Sequence, residues 1–258
     1  MPAAMTHYRF GVMVREEASE RIQKIIDENR EMFDLGLQGP DLLFFYRPYR
    51  KNMVSNIGYA FHVERAKEFL LHIYDVRDLK NSALTSYLLG MCCHYMLDRE
   101  LHPFIWEKAP TSIEHQTLEA SLERLTIERY YMTIKRCKLL PRKNLDVQAL
   151  QIVYQEVSKK QLKEAMMTIR YLNHLLEYKK PLQFYEFLVK KKRVFSSLCI
   201  PKEVEVEEAR ELIPVLEETV EKAVSFIQMY LDEGLTREQY GRYAGYDFNG
   251  AALEGGIV

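Results

Sequence analysis

Apolar residues recur at three- and four-residue intervals through most of this 258-residue chain, while strict apolar–polar alternation is nearly absent. That periodicity restricts the fold to packed helices. The spacing predicts helices at about 17–33, 55–75, 80–100, 112–137, 145–157, 159–179, 181–193 and 206–232. Gly36, Gly39 and Pro40 separate the first two segments, Pro103 and Pro110 bracket a short connection, and Pro141, Pro181 and Pro201 mark later boundaries. Pro214 falls near the start of the last segment and suits its first turn. Internal repeats and low-complexity linkers are lacking, so the expected architecture is all-α, a single multi-helix domain over residues 1–258.

Composition narrows the partners. Hydrophobic residues make up 47% and charged residues 28%, a globular profile. Lys and Arg total 36 against 37 Asp and Glu, which gives no global attraction to nucleic acid or an anionic surface. The basic run Lys190–Arg193 and the acidic stretch Glu203–Glu211 read as solvated helix ends. Residues 1–21 have no basic n-region, and their apolar part is broken by His7, Arg9 and Arg15. Neither a signal peptide nor a membrane span is expected, and a cytoplasmic location is the default. Cys92, Cys93, Cys137 and Cys199 lack Cys-x-x-Cys spacing and read as reduced, mostly buried thiols.

Chemistry concentrates in the first half. Five of seven histidines and three carboxylates form an ordered series: His7, Asp41, His62, His94, Asp98, His102, His115 and Glu119. His94 with Asp98, and His115 with Glu119, are four residues apart, so each pair shares one helix face. His102 extends the first face by another turn, and the following Pro103 predicts the helix end there. Neutral imidazole and carboxylate suit zinc. Taken singly, such residues are usually hydrogen-bonded core or surface groups; the joint pattern points to metal. His72 and His174 fit no part of the series.

In this order, Gly39-Pro40-Asp41, His62, His94-x-x-x-Asp98-x-x-x-His102-Pro103 and His115-x-x-x-Glu119 resemble the ligand series of the zinc-dependent phospholipases C, whose all-helical fold is shared with a group of single-strand nucleases. The resemblance covers residues up to about 130 and implies a metal cleft between helices. It implies one zinc at Asp41, His62, His94 and Asp98, and a second at His102, His115 and Glu119. Asp98 would bridge to a third, which His7 also binds. The family completes that third site with a processed N-terminal Trp; this chain opens with Met1-Pro2, and its sole tryptophan is Trp106. Two zinc ions are therefore expected, with the third site left incomplete. The implied activity is hydrolysis of a phosphate ester by metal-activated water, with Asp41 also orienting or deprotonating that water. A phosphoester is the expected substrate, and phospholipid is the form the resemblance suggests.

The aromatics near Asp41 and His62, namely Phe44, Phe45, Tyr46, Tyr59 and Phe61, either line the cleft mouth or belong to the core. Leu42 stands where the family has an aromatic directly after the Asp ligand, so choline specificity is not implied. Asn52, Asn56, Tyr95 and Arg99 are candidates to orient the ligands or simply to cap and face solvent. His-Glu-x-x-His is absent, as is an adjacent His-Asp pair, and the spacings do not match the paired Glu-x-x-His of di-iron bundles. The rival of another class is a non-catalytic helical protein that keeps its metal for stability or partner docking.

Overall fold

A computed structural model describes residues 4–132, 145–176, 204 and 206–256, except for the side chains of residues 172–176. The helices are α1 (Ala4–Glu17), α2 (Glu20–Glu28), α3 (Arg30–Gly36), α4 (Met53–His62), α5 (Ala66–Asp75), α6 (Ser82–Lys108), α7 (Ser112–Arg129), α8 (Val147–Val153), α9 (Lys159–Leu176), α10 (Leu212–Tyr230) and α11 (Arg237–Ala244). Two 3-10 segments, Gly39–Phe45 and Glu207–Glu211, complete the regular structure among the described residues. Among the described residues there is no β-strand, only an isolated bridge between Tyr246 and Ala252. The fold is all-α. No described helix is long and apolar enough to cross a membrane.

The 27-residue α6 is the axis of the bundle. The Asn81 side chain caps it by accepting from the Leu84 N–H at 3.1 Å. Every residue from Leu84 to Asp98 is buried, as expected of a helix surrounded by others. α1, α3 and α10 pack along it. The α3 crossing is close: a Cβ at Gly36 would lie 2.1 Å from the Tyr87 carbonyl oxygen, and one at Gly90 2.2 Å from that of Phe33. α7 packs on α1, α9 packs on the 39–45 segment, and α11 packs on α5 and α10.

Several boundaries differ from those expected, each for a local reason. The segment 17–33 divides at Asn29, whose φ of −134° and ψ of 46° leave the helical region, in keeping with the tendency of Asn to compete for backbone groups. The segment 55–75 breaks at Val63–Arg65, and the freed His62 carbonyl accepts from the Phe248 N–H at 3.1 Å. α6 does not end at Pro103 but continues to Lys108. A proline inside a helix leaves the carbonyl four residues earlier, here that of Arg99, without its N–H partner. α1 and α11 were not expected, although His7, Phe10, Gly11 and Val14 are buried at helical spacing. Pro214 lies in the first turn of α10. The expected helix 181–193, Lys190–Arg193, Cys137 and Cys199 lie outside the described residues, as does the His174 side chain.

Candidate metal centre

The central helix supplies three members of the series at one-turn intervals, His94, Asp98 and His102, and neighbouring elements bring the others to the same place. α1 contributes His7, the 39–45 segment Asp41, the last turn of α4 His62, and α7 His115 and Glu119. All eight are buried. Their donor atoms fall into three groups, each within 4.8 Å: His7 with His94 and Asp98, Asp41 with His62 and His94, and His102 with His115 and Glu119. His94 belongs to two of them. Asp98 lies between His7 and His94, with one oxygen 3.2 Å from His7 Nε2 and the other 3.2 Å from His94 Nε2.

Backbone carbonyls aim three of the imidazoles. Nδ1 of His62 lies 2.7 Å from the Gly58 carbonyl, Nδ1 of His94 lies 3.1 Å from that of Leu37, and Nδ1 of His102 lies 2.7 Å from that of Phe248. A neutral ring that donates through Nδ1 keeps its Nε2 lone pair free, so these contacts select one tautomer. The Gly39-Pro40-Asp41 turn is shaped to the same end. Gly39 has φ +53°, and a Cβ there would meet His94 Cδ2 at 2.3 Å. Tyr154 donates from its hydroxyl to the Gly39 carbonyl at 2.8 Å and holds the turn from behind.

The inward-facing atoms are short of partners. Nε2 of His7, His62 and His94, Oδ1 of Asp41 and both oxygens of Asp98 are buried without a hydrogen bond. Each such atom costs about 1–3 kcal/mol when nothing compensates it. Burial works against ionisation of Asp98, yet the imidazoles of His94, His102 and His7 hold its carboxyl well below the usual carboxylate range. Burial also opposes the charge on Glu119, but the neighbouring His102 and His115 help to hold it at about 2. Burial, reinforced by the nearby His94, lowers the pKa of His7. For His94 the carboxylate of Asp98 outweighs burial, and its pKa is raised. Buried imidazole and carboxylate lone pairs, aimed at one another and gathered in groups of three, fit a divalent zinc ion.

Other expected residues have different tasks. Asn52 caps α4 with Ser55 in a reciprocal capping box, Tyr95 donates to the carbonyls of Tyr243 and Tyr246, and Arg99 pairs with Glu100. Asn56 is exposed. His72 stands apart, its Nε2 2.8 Å from the Ile152 carbonyl. Leu42, Leu43, Phe45 and Phe61 are core, and Tyr46 is at its edge. Phe44 stacks between Tyr59 and His62, with centroids 4.4 and 5.6 Å apart. Trp106 lies 4.3 Å from the His115 ring. Tyr59 and Trp106 are 65% and 39% exposed, so both rings reach the surface rather than belonging to the core.

Sequence reasoning missed two residues here. Glu123 is fully buried one turn past Glu119, and its carboxylate accepts from the Met5 N–H at 2.8 Å. Burial pushes its pKa up to about 8. The signal was present, since Glu123 continues the four-residue spacing of His115 and Glu119. Phe248 had no such signal, being far along the chain in a segment without a motif.

No curated protein and no solved structure shows significant similarity to the chain. The sequence profile of the zinc dependent phospholipase C family matches residues 6–169, an interval that includes the whole His/Asp/Glu series. With well over half its length matched, the chain belongs to the zinc-dependent phospholipase C family.

Proposed function

We propose that the protein is a zinc-dependent phosphodiesterase that cleaves a lipid phosphoester with water as the nucleophile. The observation that carries this reading is the set of buried, inward-facing imidazole and carboxylate atoms without hydrogen-bond partners. Asp41, His62 and His94 would hold one zinc, and His102, His115 and Glu119 a second. Asp98 would face the first and bridge toward a third position beside His7. Zinc bound there supplies Lewis acidity, offsetting phosphoryl charge and lowering the pKa of water toward about 7.

The chain's own groups have the remaining roles. Asp41 is only 4% exposed, with Oδ1 3.0 Å from His62 Nε2, and it would orient the attacking water and accept its proton. The carbonyls of Gly58, Leu37 and Phe248 keep His62, His94 and His102 in the ligating tautomer. Phe44 and Tyr59 beside His62, and Trp106 beside His115, offer apolar surface next to the ligands, which suits the glycerol and acyl side of a lipid phosphodiester better than a free sugar phosphate.

Turnover of bis(p-nitrophenyl) phosphate and of phosphatidylcholine in mixed micelles, with zinc and after EDTA, tests the proposal. Hydrolysis should appear with zinc, vanish with the chelator and return when zinc is restored. Asp41→Asn should lower kcat by about 10²-fold or more. Zinc-loaded protein inert toward both diesters would remove the hydrolase reading and leave a non-catalytic zinc protein.

A further inference from the structure

The segment after α11 lies outside the family match at 6–169, yet it closes over the metal centre. Phe248 is fully buried. Its N–H donates to the His62 carbonyl at 3.1 Å, and its carbonyl lies 2.7 Å from His102 Nδ1. Its ring sits 4.9 Å from that of His62 and 6.0 Å from that of His94. One residue thus lies against ligands from all three donor groups.

Its neighbours fix it in place. The Asp247 carboxylate accepts from the Asn249 and Ala251 N–H groups at 2.8 and 2.9 Å, and Tyr95 on α6 donates to the Tyr246 carbonyl at 2.9 Å. Gly250, with φ +78°, fits into the notch that Pro103 makes in α6. A Cβ there would lie 2.5 Å from Pro103 Cγ and 2.7 Å from the Arg99 carbonyl oxygen. The proline that interrupts the α6 hydrogen-bond ladder therefore gives the strap its seat, one residue past the ligand that the strap contacts.

We infer that Phe248, held by the 246–250 strap, is a positioning residue of the zinc centre: its carbonyl fixes the tautomer and aim of His102, and its N–H and ring fix His62. The inference rests on the zinc reading above but not on catalysis. A His102 ring that loses this acceptor can rotate or shift its proton to Nε2, the atom needed for ligation.

The test is zinc affinity of the full chain, measured by chelator competition, together with ¹⁵N spectra of its labelled imidazoles. The variants are Gly250→Ala, Asp247→Ala and Asp247→Asn. Gly250→Ala should displace the strap, and Asp247→Ala should loosen it without adding bulk. Both should weaken the zinc at His102, His115 and Glu119 by about 10–100-fold and remove the Nδ1–H signature of His102. Asp247→Asn keeps a carbonyl acceptor and should restore both properties. If Gly250→Ala does not fold, the Asp247 pair decides. Lower melting temperature with unchanged zinc affinity and tautomer would make the strap merely structural and overturn the inference. A wild-type chain that binds no zinc would overturn it together with the zinc reading, whereas zinc-loaded but inert protein would sink the hydrolase proposal alone.

Discussion

Zinc, protons and hydrogen-bond donors compete for the same lone pairs, and the fold leaves those of His7, Asp41, His62, His94 and Asp98 without a hydrogen bond, whereas Glu119 lies 2.9 Å from His115 Nε2. His94 shows the consequence: its Nε2 is buried without a hydrogen bond, 3.2 Å from the Asp98 carboxylate, while Nδ1 is committed to the Leu37 carbonyl. His94→Ala should therefore abolish binding at two donor groups, and His115→Ala at one. His72→Ala should leave zinc content unchanged, because His72 belongs to none of the donor groups and its Nε2 meets the Ile152 carbonyl instead, at a stability cost of about 1 kcal/mol. Elemental analysis of the three variants decides, and equal zinc loss in all would refute the assignment. Gly39→Ala tests the turn that carries Asp41. The new methyl would press on the His94 ring in a left-handed conformation, so stability should fall by more than about 1 kcal/mol and zinc affinity should fall with it. Unchanged chemical denaturation and zinc binding would show that the turn relaxes freely. His94, His115 and Gly39 all stand in the recognisable series, so each could be singled out from sequence. The acceptors for Nδ1 could not, because they are backbone carbonyls that no residue type announces.

Between α1 and α7, the ordinary helix rules give way to a specific polar contact. His7 lies on α1, and two residues before it the Met5 N–H donates to the buried Glu123 carboxylate of α7. In the folded chain Glu123 holds its proton up to about pH 8, against an ordinary 4.5. From about pH 4.5 to 8 the unfolded state therefore binds fewer protons than the folded one, and stability from this group falls as pH rises. It is complete below pH 4.5 and gone above about 8. Glu123→Gln keeps an acceptor for Met5 and removes the titration. Its melting temperature relative to wild type should rise steadily from pH 5 to 8, measured on chelated protein so that metal linkage does not contribute. A pH-independent difference would show that Glu123 is ionised throughout. The same pair of helices marks a limit of sequence reading. α7 is legible from Thr111, whose capping box with Glu114 starts it, whereas α1 was obscured by arginines that interrupt its short apolar face.

Across the whole molecule, the donors come from α1, the 39–45 turn, α4, α6 and α7, so a zinc ion held by them would join elements that are far apart in sequence. All-α packing was legible because helical periodicity is local. The series was legible because its residue types and order are distinctive, and the fold gathers its members into three donor groups. The strap at 246–250 was not, since its effect passes through backbone atoms and a proline notch that exist only after folding. A centre that joins so many elements should contribute to stability by mass action, by about 2.7 kcal/mol per site at a hundredfold excess of zinc over Kd, or roughly 5–10 °C in melting temperature. Ligation needs neutral imidazoles, so protons displace zinc as pH falls. The melting-temperature gap between zinc-loaded and chelated protein should be wide at pH 7.5 and should close toward pH 5. The carboxylates predict a separate, more acidic limb. Glu119, held at about 2 from an ordinary 4.5, contributes stability that is present above pH 4.5 and is lost as pH falls toward 2. Chelated protein should therefore remain folded through the range in which zinc dissociates and unfold only below about pH 4. Calorimetry of both forms from pH 3 to 8 checks the order of these events. Unfolding of the chelated chain at the pH where zinc leaves would mean that the buried imidazoles and carboxylates cannot sustain the centre without metal.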